Sequence, residues 1–423
     1  MLTNQTNGTQ SDPGRVILLM KASTYRARSF MEAARRLGIE VVQGIDMHPD
    51  LVEAWQAPLG LQFEEPEQAV QDIVAYARQH PIRAILAVDD SATVVATMAG
   101  ERLGLSHNSA EAALAARNKY RMRQLLAAGE VPVPDFRLVD AADDPAQIGA
   151  EVTYPCVVKP LLLSGSRGVI RANNPAEFND AFLRLARMLQ RMQRVPDSTK
   201  ILIEDYLPGV EVALEGMLDR GKLHLLALFD KPDPLEGPYF EETIYVTPSR
   251  LAGSIQTEIV DYTARAAAAL GLRHGPIHAE LRINEAGAWI VEIAGRSIGG
   301  LCSQTLRFGS DISLEELILR QAVGLEIESM NREDKARGVM MIPIPEAGLL
   351  KSIKGLEAAE AVPGIESVEI TAQLNQPLMP LPEGESYLGF IFAEGQHPTE
   401  VEAALREAHR QLEFELAPLL LVL

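Results

Sequence analysis

Glu280 and Glu292 lie twelve residues apart in the stretch 274–300, HGPIHAELRINEAGAWIVEIAGRSIGG. Ile277, Ala279, Leu281 and Ile283 alternate with polar residues before the turn residues Asn284-Glu285-Ala286-Gly287. Trp289, Val291 and Ile293 mark one face after it. Period-two alternation on both sides of a turn predicts a β-hairpin. A hairpin centred near Ala286 sets Glu280 almost opposite Glu292, on the face away from the apolar residues. Carboxylates facing each other across a ladder, with β-carbons about 5 Å apart, repel. A hard divalent cation between them would turn the repulsion into ligation. A solvated outer face of a sheet is the alternative reading of the same pattern.

A second group of residues suits phosphate. Tyr154–Pro160 (YPCVVKP) reads as a strand with Lys159 near its end, followed by Ser164-Gly165-Ser166-Arg167-Gly168 and a resumed strand at Val169-Ile170. Two glycines and two serines between strands can turn backbone N–H groups toward one point, a nest for phosphate oxygens, with Lys159 as a point charge beside it. The spacing is not that of a P-loop, and no helix opens after it. An ordinary glycine-serine hairpin loop is the alternative. Further on, Ile201–Gly216 (ILIEDYLPGVEVALEG) runs a strand into Glu204-Asp205-Tyr206-Leu207, a Pro-Gly turn and Glu211. Backbone groups of such an edge linker can pair with a purine, and a carboxylate seven residues on can take two ribose hydroxyls. Acidic residues around a surface turn would look the same.

The elements that must hold these groups change character along the chain. Strands Arg15–Met20, Ile39–Gln43 and Arg83–Val88 alternate with helices Arg26–Leu37, Pro66–His80 and Ser91–Leu103, which predicts a parallel, doubly wound sheet. Ligands approach such sheets at the carboxyl ends of the strands, here Lys21-Ala22-Ser23-Thr24 and Asp89-Asp90. A helix Ser109–Gly129 and an extended linker Val131–Pro134 follow. Short strands and helices up to about Gly324 then suggest an α+β unit. The stretch Gly338–Leu423, with one helix at Pro398–Leu412, reads as a small α+β cap.

At 423 residues with 47% apolar content, the chain has room for two or three domains. The net charge of −19, from 39 basic and 58 acidic residues, argues against nucleic acid or an anionic membrane as partner. Cys156 and Cys302 lack the spacing of a metal or redox motif, so a reducing cytoplasm is the expected setting. No apolar stretch reaches the roughly 20 residues of a membrane span, and residues 1–14 are expected to be a disordered polar tail.

Taken in order, Asn118-Lys119-Tyr120, VVKP, the serine-glycine loop, E-D-x-L-P-G-x-E and the paired glutamates resemble the ATP-grasp carboxylate–amine ligases, from about Val16 to the C-terminus. The likeness is nearest in tone to the L-amino acid ligases that make dipeptides, and the three-part layout is similar to biotin carboxylase and the glycinamide ribonucleotide ligases. The resemblance implies an α/β and α+β protein of ATP-grasp fold. Its parts would be an N-terminal parallel-sheet domain over 15–130, an ATP-grasp domain over 131–330 with a lid subdomain at about 131–212, and a C-terminal α+β domain over 331–423. It implies ATP with Mg2+ (or Mn2+), and a small carboxylate and an amine as substrates. A homodimer is expected.

Residue by residue, the resemblance makes Lys119 the first phosphate-contacting lysine and Lys159 the second. Ser164, Gly165, Ser166 and Gly168 belong to the loop that folds over the transferred phosphate. Glu204, Asp205 and Leu207 match the adenine hinge, with Glu211 on the ribose. Glu280 and Glu292 match the carboxylates that bridge magnesium. Arg296, expected on the same strand face as Glu292, matches an arginine that holds the acyl phosphate or substrate carboxylate. Arg296, Lys159 and Ser166 are thus the groups expected to act on the reacting atoms. Transfer to a carboxylate needs positioning and charge neutralisation more than a protein nucleophile, and a hydrolysable acyl phosphate needs a lid. Lys231–Glu242 (KPDPLEGPYFEE) is a candidate second lid, with Tyr239, Phe240, Glu241 and Glu242 toward the substrates.

Ala294 stands where the related E-x-N-x-R pattern has an asparagine ligand, which opens the alternative of a nucleotide-binding scaffold with little chemistry. Arg167 within the glycine loop is a second departure. Biotin carboxylase-type chemistry is disfavoured, because the loop lacks that group's longer glycine run and the chain has no biotinyl-lysine segment.

Overall fold

The computed structural model describes residues 14–51, 59–192, 199–384 and 386–419. Of the expected tail, residues 1–13 lie outside them. The described residues divide into two compact units, one formed by residues up to 106 with 315–328, the other by 107–314 with 329 onward.

The first unit is the expected parallel sheet. Strands β1 (Arg15–Lys21), β2 (Glu40–Asp46), β3 (Leu59–Leu61) and β4 (Ala84–Ala87) lie in the order β3-β2-β1-β4, all parallel. Val16 to Leu19 are fully buried, as a strand covered on both faces requires. Helix Ala27–Leu37 stops at Gly38, which takes a φ of +68° that closes the last turn.

In the second unit the expected helix Ser109–Gly129 is two helices, Ala110–Arg117 and Lys119–Ala128, broken at Asn118. Asn118 has an extended ψ of 108° and its side chain accepts from the N–H groups of Tyr120 and Arg121, so it starts the second helix by ending the first. Four antiparallel strands form a separate sheet in the stretch expected to be the lid, called the lid sheet for its place: β5 (Phe136–Asp140), β6 (Cys156–Pro160), β7 (Ile170–Ala172) and β8 (Lys200–Asp205), in the order β5-β8-β6-β7. Helix Pro175–Arg191 covers it through Phe178, Phe182 and Leu185. Cys156 sits in that core, where burial pushes its thiol up to about 12.

The larger sheet has eight strands. These are β9 (Val210–Asp219), β10 (Lys222–Lys231), β11 (Ile244–Thr247), β12 (Gly275–Asn284), β13 (Gly287–Ala294), β16 (Ala336–Ile342), β18 (Ile365–Ile370) and β20 (Gly389–Gly395). The two-stranded pair β14 (Arg307–Phe308) with β15 (Ile312–Ser313), and the three-stranded sheet of β17 (Gly348–Lys354) between β19 (Pro377–Leu378) and β21 (Glu413–Ala417), stand apart from it. Its order is β13-β12-β9-β10-β11-β16-β20-β18. The boundary drawn near 330 therefore falls inside one continuous sheet, because β11 pairs with β16 from Ile244–Met340 to Thr247–Arg337. The boundary drawn at 130 likewise separates helices 110–117 and 119–128 from the core they share with helix Gly253–Leu270: Ala112, Met122 and Leu126 pack with Ile259 and Ala266.

Candidate functional site

The hairpin forms in the expected register. Glu280 is the ladder partner of Glu292, and Asn284 pairs with Gly287 across a two-residue turn. One feature differs. A bulge after Glu280 places Leu281 opposite Ile290, which leaves Val291 as the extra residue. An extra residue reverses the side-chain alternation beyond it. The core face of β13 is therefore Ala288, Ile290 and Ile293, not Trp289, Val291 and Ile293.

Ile277, Ala279 and Leu281 of β12 enter that core together with Val212 and Leu214 of β9. The opposite face carries His278, Glu280 and Arg282 from β12, Glu211 and Glu215 from β9, and Lys231 from the end of β10, since Arg282 and Lys231 both pair with Glu211 and His278 pairs with Glu215. Glu211 is the hub. Its Oε1 accepts from Lys231 Nζ at 2.8 Å and its Oε2 from Arg282 Nε at 2.9 Å. Lys231 also bonds Glu242 and lies 3.5 Å from Glu280. Carboxylate oxygens of Glu211, Glu242 and Glu280 all come within 4.8 Å of one another. Burial pushes Glu242 up to about 7, helped by Glu280 and Glu211 and opposed by Lys231. Glu280 is held well below the ordinary carboxylate range: burial alone would raise it, but Lys231 and His278 lower it. His278 donates or accepts at Glu215 (2.5 Å) and Glu280 (3.2 Å), and these carboxylates outweigh burial to raise its pKa to about 9.

Three clustered oxygen donors beside a captive ammonium suit a hard cation by donor chemistry. Glu292 is not in that cluster. Its carboxylate lies 3.3 Å from Lys119 Nζ, which also donates to Leu163 C=O at 2.7 Å. Backbone opposition thus brings Glu280 and Glu292 together, while their carboxylates turn to different cations.

Lys119 and Lys159 are both buried. Lys159 pairs with Glu204, whose other oxygen takes Arg123 Nε at 2.7 Å. Burial would raise Glu204, but Arg123 and Lys159 hold it at about 2. Arg123 reaches across to the carbonyl of Val291, the bulge residue, at 2.7 Å, which joins the lid sheet to the hairpin. The side chain of Glu204 is thus spent on this ion triad. Asp205 and Tyr206 give their N–H groups to Asp135 and Pro155, and Leu207 C=O accepts from Arg282 at 2.8 Å. The expected hinge is therefore the physical connection between the two sheets.

In the glycine loop, Gly165, Ser166 and Gly168 have φ of +63°, +55° and +73°. Gly168 does not offer its N–H to the nest, because it donates to Pro382 C=O at 2.9 Å. Arg296 also departs from expectation. β13 ends at Ala294, so Arg296 lies in the glycine-flanked loop beyond it and not on the strand face. Its Nη1 donates to Ser297 C=O, and the loop is anchored where Ile298 N donates to Glu215 Oε2 at 3.0 Å. Ala294 does share the face of Glu292, opposite His278, and is buried.

The 231–242 loop faces three ways. Tyr239 bonds Arg184 of the lid, Phe240 stacks on Tyr206, and Glu242 accepts from Tyr245 at 2.8 Å. Lys231, His278, Arg282 and Arg123 are the groups to which the sequence reading gives no role in the chemistry. The polar alternation His278-Glu280-Arg282 was a visible signal for two of them.

Comparisons with known proteins bear on the fold and its matched regions. Residues 152–305 match the family model of the ATP-grasp domain, 31–107 that of the ATP-grasp N-terminal domain, and 340–417 that of L-amino acid ligase C-terminal domain 2. Dapdiamide A synthase of Enterobacter agglomerans is 26% identical over 55% of this chain and 54% of its own length. Alanine–anticapsin ligase of Bacillus subtilis (strain 168) is 26% identical over 60% of each. The chain thus spans little more than half the length of these curated relatives. The crystal structure of the L-amino acid ligase from Bacillus licheniformis superposes with a TM-score of 0.82 at 25% identity, covering 96% of this chain and 99% of that one. The fold and the three matched regions together identify the chain as a member of the ATP-grasp superfamily, with a C-terminal domain of the L-amino acid ligase type.

Proposed function

We propose that the chain is an ATP-dependent ligase that joins a small carboxylate, an amino acid, to an amine with release of ADP and phosphate. The observation that carries this reading is that Lys119 reaches Glu292 on the larger sheet, whose ladder partner Glu280 belongs to the Glu211–Glu242–Glu280 cluster, while Lys159 stands on the smaller sheet joined to it through residues 206–209. In the first step a carboxylate oxygen of the substrate attacks the γ-phosphorus of ATP, the bond to the β-phosphate oxygen breaks, and ADP leaves. In the second the amine nitrogen attacks the acyl carbon, phosphate leaves, and the nitrogen loses its proton.

Lys119 and Lys159 are assigned to the phosphates, and Gly165 and Ser166 of the loop to the transferred group. Glu204–Leu207 are assigned to adenine through the backbone, and Glu211 to the ribose side. Glu280, in the cluster with Glu242 and Glu211, is the residue that would hold Mg2+ or Mn2+, which would neutralise phosphate charge, and Glu292 would share the ion by turning from Lys119. Arg296, on its anchored loop, is the candidate holder of the acyl phosphate or the substrate carboxylate. Small-molecule substrates, a cytoplasmic setting and a homodimer belong to the same reading.

The match of residues 340–417 to the L-amino acid ligase model favours peptide-type ligation over biotin carboxylase-type chemistry. The scaffold reading rests on Ala294. Phosphate release measured across a matrix of amino acids and amines, with mass spectrometry of the products, separates the two. An amide product with stoichiometric phosphate supports ligation, and no phosphate release with any pair would refute it.

A further inference from the structure

The glycine loop is tied to a part of the chain that the chemistry does not use. Gly168 N donates to the carbonyl of Pro382 at 2.9 Å, and Arg167 Nε donates to the carbonyl of Glu383 at 3.1 Å. The Glu383 carboxylate takes a two-bond fork from Arg184 on helix Pro175–Arg191, at 2.7 and 2.8 Å. Arg184 also bonds the hydroxyl of Tyr239 and lies 5.3 Å from its ring centroid. One strap, 380–383, therefore reaches both candidate lids, the 164–168 loop and the 231–242 loop.

The loop itself is built for attachment at its base. A side chain at Gly168 would meet Leu185 at 3.0 Å and Pro160 at 3.2 Å, whereas one at Gly165 would meet nothing within 4 Å. The base is packed and the tip is open.

We propose that Glu383 is a positioning residue for ligation. Through Arg184 and the strap carbonyls it fixes the base of the 164–168 loop and the flank of the 231–242 loop, so that the tip can close over the reacting groups. The inference rests on the ligase reading for its consequence but not for its geometry. A forked arginine–carboxylate pair is strong for its class. Its partners here are 39% and 28% exposed, so solvent screening limits the effect to a few-fold change.

The experiment uses the full chain with Glu383→Gln, Glu383→Ala and the exchange Arg184→Glu with Glu383→Arg. Tryptic cleavage after Arg167 is followed by mass spectrometry, and phosphate released per amide product is measured for a productive substrate pair. We expect cleavage roughly three- to tenfold faster in Glu383→Ala, less change in Glu383→Gln, and a return toward wild type in the exchange. Phosphate per product should rise in the same order, because a loose lid admits water to the acyl phosphate. Unchanged cleavage in both single variants would overturn the proposal. So would faster cleavage that the exchange does not reverse. The cleavage readout needs no turnover, so a failure to find any amide product would count against the ligase reading and leave this geometry standing.

Discussion

Removing Lys231 should unfold the metal-free protein more readily and make magnesium a stabiliser. Its side chain is 3% exposed, and its ammonium touches Glu211 at 2.8 Å, Glu242, and Glu280 at 3.5 Å. Burial would lower its pKa, but these three carboxylates raise it above the ordinary lysine range, so it stays charged at every working pH. In Lys231→Ala, Glu211 keeps Arg282 and Glu280 keeps His278, while Glu242 keeps the Tyr245 hydroxyl. Breaking a buried pair by deleting one partner costs about 3–5 kcal/mol. At about 2–3 °C per kcal/mol for a unit of this size, Tm in chelator should fall by about 6–15 °C. A divalent cation can take the place of the lost charge, and at a hundredfold excess over Kd it returns about 2.7 kcal/mol. Thermal melts in chelator and in millimolar magnesium should therefore show a larger magnesium shift for the variant than for wild type. A drop below about 2 °C in chelator, or equal magnesium shifts in both proteins, would refute the account of the cluster.

Other outcomes follow from the same contacts. His278 (about 9, against 6.5) and Glu242 (about 7, against 4.5) both have raised folded pKa values, so the stability each contributes is present below its unfolded pKa and lost as pH rises through the folded one. Metal-free stability should thus decline from pH 5 to pH 9, by on the order of 3 kcal/mol from His278 alone, read as a falling Tm, and a flat profile in chelator would contradict this. Lys159→Ala should weaken ATP binding at least about tenfold by calorimetry, since each tenfold corresponds to only about 1.4 kcal/mol; the fold should survive because Glu204 retains Arg123. Ala294→Asn adds a carbonyl oxygen on the face of Glu292 and should lower the magnesium concentration for half-maximal activity, at a packing cost of about 1–3 kcal/mol read as a lower Tm. A magnesium requirement that is unchanged or higher would show that alanine is there to make room for His278.

The opposition of Glu280 and Glu292 was legible because alternation and turn residues fix hairpin register. The bulge was not, since Ala288-Trp289-Ile290-Val291 is apolar at every position and either parity fits. The break at Asn118 was hidden inside an alanine-rich helical run with no glycine or proline to mark it. Arg296 was carried onto the strand face by counting from Glu292 across Gly295. Lys231 looked like the first residue of a loop, because its partners Glu211, Glu242 and Glu280 are contributed from separate places in the chain. Arg123 is one of three basic residues in the run Lys119-Tyr120-Arg121-Met122-Arg123, and nothing local sets it apart. Its role needs the Val291 carbonyl, which no local pattern announces.

The pairing of β11 with β16 bears on where this protein can be cut and recombined. A fragment ending near residue 330 keeps Ile244–Thr247 but loses the strand that caps its outer edge. It would present an apolar row of open N–H and C=O groups, a template for pairing with another chain. Ile244, Tyr245 and Val246 are fully or nearly fully covered in the intact sheet. Grafts that exchange the C-terminal region should therefore carry β11 with the incoming piece. In this protein the unit of inheritance is the seam, and it lies upstream of the sequence that looks like a module.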